Sequence, residues 1–165
     1  MCIRDRISVI AFPFGFIPTY NKIKEAEYAI EKGVEELDLV PNYFALEEGN
    51  IELFAEEINQ ISELSIPVRV IIDANILINS SKLSMAIDAL IDAGAIGIQI
   101  GNGFGPSVSK DQTKHVSKLV KNRCSIKAVG GIKTFDQAIE IIEAGSTYIG
   151  TSFGFEITQE QKKKE

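Results

Sequence analysis

Cysteine and histidine are nearly absent from this sequence: two of the first and one of the second in 165 residues. Cys2 and Cys124 form neither a metal-ligand spacing nor a disulfide framework, which excludes a stapled secreted scaffold and points to a reducing, cytoplasmic setting. Cys124 stands between Arg123 and an apolar run and reads as an ordinary strand residue. His115 falls mid-helix between Lys114 and Val116, a surface position. Long apolar runs are missing too: none reaches the roughly 18 to 20 residues that a membrane span needs. The charged start, Met1–Arg6, has no small-residue cleavage site after it and does not read as a signal peptide. Nor is there an excess of positive charge. Seventeen basic residues face 23 acidic ones, a net charge of −6, so the overall field gives polyanions no general attraction and nucleic acid is not an expected partner. Any phosphate has to be held by local geometry.

What is present is enough apolar residue, 45% of the chain, for one domain with a real core. A weak internal repeat organises it. Glu31-Lys32-Gly33 precedes Glu36–Val40, Asp92-Ala93-Gly94 precedes Ile96–Ile100, and Glu143-Ala144-Gly145 precedes Thr147–Gly150. Each unit reads as a helix closed by glycine, followed by the short apolar strand that a doubly covered parallel sheet requires. Strands are expected at Ile7–Phe12, Glu36–Val40, Val68–Ile72, Ile96–Ile100, Ser125–Ala128 and Tyr148–Gly150. Helices are expected at Tyr20–Lys32, Ile51–Leu64, Lys82–Ala93, Lys110–Asn122 and Thr134–Ala144. Thr134 with Gln137 has the spacing of a capping box, and Ser80 or Ser81 suits the cap of the helix before Gly94. Alternating β and α argues parallel strands with crossover helices. The domain is expected at 7–157 and a polar tail at 158–165, with Gln159–Glu165 a frayed terminus. Six such units suit either an open doubly wound sheet or an incomplete (β/α)8 barrel, which when closed has eight strands.

In β/α folds ligands bind at the carboxyl ends of the strands. Three polar residues interrupt the apolar strands: Asp38, Gln99 and Lys127. Unpaired, each costs on the order of 1–3 kcal/mol to bury, so the three are expected to share one polar cavity. Lys127, flanked by Ile126 and Ala128, is the leading catalytic candidate, as a base or amine nucleophile or else as an ion-pair partner of Asp38 or Asp73. Asp38 suits proton transfer. Asp73 either joins this set or caps the loop that follows it. Gly130-Gly131 before the Thr134 helix, and Gly150-Thr151-Ser152, suit an anion, because backbone N–H groups approach a phosphate closely where Cβ atoms are absent.

With these residues in place the sequence resembles the deoxyribose-phosphate aldolase family from about Ile7 to Gly154. Val9–Gly15 is similar to its strand ending in Phe-Pro-x-Gly; Glu35–Val40, followed by Ala45-Leu46 and Gly49, to its Asp-Glu-x-Asp-x-Val strand; Val70–Asp73 to its Val-Ile-Ile-Glu. Lys127–Thr134 resembles its Lys-Ala-Ser-Gly-Gly-Ile-Arg-Thr, and Gly150-Thr151-Ser152 its last strand and phosphate loop. The resemblance implies an α/β fold, a TIM (β/α)8-type barrel with the last six of eight units present. It implies a metal-free, cofactor-free class I aldolase that cleaves 2-deoxy-D-ribose 5-phosphate to acetaldehyde and glyceraldehyde 3-phosphate through a lysine Schiff base. Asp38 would be its proton-relay aspartate and Lys127 its second lysine, while Gly103, Gly130, Gly131, Thr151 and Ser152 would hold the phosphate. Gln99 occupies the position of the Schiff-base lysine, in Gln99-Ile100-Gly101-Asn102-Gly103-Phe104. A carboxamide has no amine to condense with an aldehyde. Three functions follow as alternatives: an aldolase acting through Lys127, a phosphosugar-binding protein without turnover, and an enolising enzyme using Asp38 and Lys127 with no covalent step. The expected partner is a small phosphorylated sugar or aldehyde, with no membrane and no nucleic acid, and a homo-oligomer is left open.

Overall fold

The computed structural model describes residues 6–73 and 81–164. Strands and helices alternate: β1 (Ile7–Ile10), α1 (Thr19–Glu31), β2 (Glu36–Leu39), α2 (Tyr43–Glu47), α3 (Ile51–Ser62), β3 (Val68–Ile72), α4 (Ser81–Asp92), β4 (Gly97–Ile100), α5 (Lys110–Val120), β5 (Ser125–Val129), α6 (Phe135–Glu143), β6 (Tyr148–Gly150) and α7 (Gly154–Lys164). The strands form one six-stranded parallel sheet in the order β1-β2-β3-β4-β5-β6. Each strand therefore lies beside its neighbours in sequence, as in a barrel and unlike a doubly wound sheet, whose order reverses. The result is a half-barrel of the TIM type.

The core lies between the sheet and its helices. Phe54, Ile58 and Ile61 on α3, and Leu83, Ala86, Ile87 and Leu90 on α4, recur at helical spacing and are buried. Burying each large side chain contributes about 1.5–3 kcal/mol. Leu37 and Leu39 point outward to this layer, so the alternation of a strand sends Glu36 and Asp38 to the other, inner face.

The expected elements are all present, with shifted ends. β1 stops at Ile10 rather than Phe12 because Ala11 turns into the left-handed region (φ 60°). That turn is held by Ala11 N–H donating to Glu25 Oε2 at 2.8 Å and by Gly15 N–H donating to Ala11 O at 2.9 Å. α5 stops at Val120, where Lys121 and Asn122 both take positive φ. The Thr134–Gln137 capping box is formed. Ser81 opens α4 as a helical residue, and Ser80 lies outside the described residues. Two helices were not foreseen. α2 is too short for periodicity to reveal and is capped by Asn42, whose side chain accepts from Ala45 N–H at 3.3 Å. The region read as a frayed tail is helical to Lys164 in α7, and Glu160 Oε2 accepts from Phe135 N–H at 2.8 Å, tying α7 to the start of α6. His115 is exposed, and Cys124 is half-buried just before β5, where burial raises its thiol pKa. No helix among the described residues is long and apolar enough to cross a membrane.

Candidate active site

The inner face of the sheet carries a ladder of polar groups. Asp38 on β2 is register partner of Arg69 on β3, and Gln99 on β4 is register partner of Lys127 on β5. Asp38 is 1% exposed and its two oxygens are divided between two cations. Arg69 Nη1 donates to Oδ1 at 2.8 Å, and Lys127 Nζ donates to Oδ2 in a short contact. Arg69 Nη2 donates to Glu36 Oε2 at 2.9 Å, and the Tyr148 ring on β6 lies 5.1 Å from the guanidinium carbon. Burial opposes the charge on Arg69, but hydrogen bonds to Glu36 and Asp38 outweigh it and its pKa is raised. Gln99, 5% exposed, donates from Nε2 to Gly101 O at 3.0 Å.

Above this ladder opens a cavity of about 510 Å³. Its lining includes Asp38, Gln99 and Lys127 together with Gly103, Gly130, Gly131, Thr151 and Ser152, so the three polar strand residues and both glycine turns meet at one mouth. The glycines have specific reasons to be there. A Cβ on Gly131 (φ 73°) would stand 1.9 Å from Ser107 Oγ, and one on Gly101 (φ 81°) 2.0 Å from Val129 O. Gly130 O accepts from Val108 N–H at 3.1 Å, which locks the loop after β4 against the loop after β5. The Thr151 hydroxyl is already engaged: it donates across to Ile132 O in the loop after β5 at 2.6 Å and accepts from Phe153 N–H in its own turn at 2.9 Å. Thr151 thus ties the loop after β6 to the loop after β5.

Asp73 does not line this cavity. It faces a neighbouring one with Tyr43, and its Oδ2 accepts from Asn102 Nδ2 at 3.4 Å. The loop it was expected to cap, 74–80, lies outside the described residues. Sequence reasoning passed over two residues. Arg69 interrupts an otherwise apolar strand just as Asp38 does, and that same signal would have found it. Lys133 follows the glycine pair and lines the cavity, with Nζ 5.7 Å from the Phe153 ring centre. Among the described residues no group of three or more His, Cys, Asp or Glu side chains could hold a metal ion.

A parallel half-barrel with a polar cavity at the carboxyl ends of its strands places the chain among the TIM-type β/α barrels that carry their sites there. Comparison with known proteins narrows this. The chain is 36% identical over 157 residues to the deoxyribose-phosphate aldolase of Picosynechococcus sp., covering 94% of this chain and 68% of that protein. It is 38% identical over 159 residues to that of Caldicellulosiruptor saccharolyticus, covering 93% and 72%. Among solved structures it superposes on the aldolase QR15 with a TM-score of 0.91 at 34% identity, covering 97% of this chain and 73% of that one. It also superposes on the deoxyribose phosphate aldolase of Aeropyrum pernix, described as tetrameric, with a TM-score of 0.88 at 28% identity, covering 98% and 69%. No family model matches. The chain belongs to the deoxyribose-phosphate aldolase family.

Proposed function

We propose that the cavity takes 2-deoxy-D-ribose 5-phosphate or a similar small phosphorylated sugar, and cleaves it to acetaldehyde and glyceraldehyde 3-phosphate. The phosphate would sit at the Gly130-Gly131 and Thr151-Ser152 turns opposite Gly103, and the carbonyl end would reach Lys127. One observation carries this reading: the polar triad and both glycine turns open onto the same cavity. With Gln99 unable to form an imine, Lys127 is the amine that faces the sugar from the neighbouring strand. Its nitrogen would add to the aldehyde carbon and water would leave. The iminium would then draw in the electron pair of the C2–C3 bond as the C3 hydroxyl gives up its proton, with Asp38 as the relay. Protonation of the resulting enamine at C2 and hydrolysis would release acetaldehyde and restore the amine.

A second reading, binding without turnover, is favoured by the ion pair itself. The Lys127 nitrogen is engaged by buried Asp38, a contact that competes with attack on a carbonyl carbon. Borohydride reduction in the presence of deoxyribose 5-phosphate separates the two. An adduct on Lys127 supports the aldolase; calorimetric binding with no adduct supports the binding protein; no binding of any sugar phosphate removes both.

The scarcity of cysteine supports a reducing, cytoplasmic setting. Self-association is also part of the proposal, because β1 and β6 each pair on one side among the described residues, and open strand edges template pairing between chains. Sedimentation across a hundredfold range of concentration tests it, and a monomer throughout would end it.

A further inference from the structure

Arg69 lies beneath the cavity without lining it, and touches the reacting residues only through Asp38. It is 1% exposed, held by Glu36 on one nitrogen and Asp38 on the other, with the Tyr148 ring beside it. Such a fork matches two carboxylates at once in a way that a lysine cannot. We propose that Arg69 is a positioning residue: it fixes the rotamer of Asp38 so that one oxygen faces Lys127, and by taking a share of that carboxylate's charge it sets how tightly Asp38 can hold the Lys127 ammonium. This rests on the reading that Asp38 and Lys127 are the working pair.

The charges around the pair decide the sign. Glu36 and Asp38 on β2 face Arg69 on β3 and Lys127 on β5, two carboxylates against two cations. The adjoining inner-face residues add Val9 from β1, uncharged Gln99 from β4 and the Tyr148 phenol from β6; Lys133 on the cavity wall is the remaining cation. Removing Arg69 would leave Asp38 to Lys127 alone, so the amine would be held as ammonium more firmly. Removing the charge of Glu36 would do the reverse, because Arg69 would then belong to Asp38 alone.

The test reads the amine directly and needs no sugar phosphate, so it stands apart from the trapping experiment above. Folded protein is methylated reductively with formaldehyde and cyanoborohydride at pH 8, and the rate at Lys127 is followed by peptide mass spectrometry against exposed Lys118. Relative to the unaltered protein, Arg69→Met should slow labelling of Lys127 about tenfold, the scale of a neighbouring charge's influence on ionisation. Arg69→Lys should fall between the two. Glu36→Gln should speed it severalfold, opposite in sign, which mere loosening of structure would not produce in both directions. If Arg69→Met does not fold by circular dichroism, the Glu36→Gln rate decides alone. An unchanged or faster rate in Arg69→Met, or an unchanged or slower one in Glu36→Gln, would overturn the proposal.

Discussion

Gln99 and Lys127 stand side by side on the inner face of the sheet, register partners on adjacent strands, one anchored to a backbone carbonyl and the other to a carboxylate. On the proposed function, a group that cannot form an imine thus stands beside Lys127, the amine one strand away.

Gln99→Lys should place an amine at that position while Asp38 continues to hold Lys127. Turnover of deoxyribose 5-phosphate is expected to rise by at least about a hundredfold, a usual scale for a covalent nucleophile. The borohydride adduct should move to residue 99. An adduct confined to Lys127 in this variant would contradict the expectation.

The two partners of the buried ion pair should differ in what their loss does to stability. Asp38→Asn strips a countercharge from both Arg69 and Lys127 and should cost about 3–5 kcal/mol. Lys127→Met leaves Asp38 with Arg69 and should cost about 1–2 kcal/mol. Urea denaturation measures both, and equal costs would show that Arg69 does not hold Asp38.

Gly131→Ala asks for a side chain at a positive φ, directly against Ser107. It should destabilise the protein by about 1–3 kcal/mol and weaken sugar phosphate binding at least tenfold by calorimetry. Gly49→Ala, also at positive φ but with open space around it, should affect stability and leave the affinity unchanged.

Tyr43 supplies a pH dependence. Its hydroxyl donates to Ile71 O at 2.8 Å, and burial pushes the phenol pKa far up. A raised folded value means that the stabilisation is complete below the unfolded value, about 10, and is lost as pH rises beyond it, because the unfolded phenol ionises first. The urea midpoint should therefore fall between pH 9 and 11, and Tyr43→Phe should lessen that fall while losing about 1 kcal/mol at pH 8.

Much of this was legible in the sequence, for a physical reason. A parallel strand covered by helices is apolar nearly throughout, so Asp38, Gln99 and Lys127 stood out as exceptions that had to share a cavity. The glycines of Gly130-Gly131 and Gly150-Thr151 marked turns that open onto the same cavity. Less visible was anything decided by partners distant in sequence. That Asp38 serves two cations, or that Lys22 is buried inside the helix layer against Glu57 at 2.8 Å, depends on contacts across 31 and 35 positions. The α2 turn and the last helix were missed because one is too short and the other too polar to show a periodic apolar stripe. Thr151 lies at the mouth, but its hydroxyl is engaged by Ile132 O and Phe153 N–H, partners the sequence did not reveal.

The order of the sheet also bears on how the protein is made. Because each strand pairs with the one synthesised just before it, no strand has to wait for a distant segment of the sheet to leave the ribosome. Asp38 and Arg69 precede Lys127 in the chain, so the strands that orient the carboxylate are synthesised before the strand that brings the lysine.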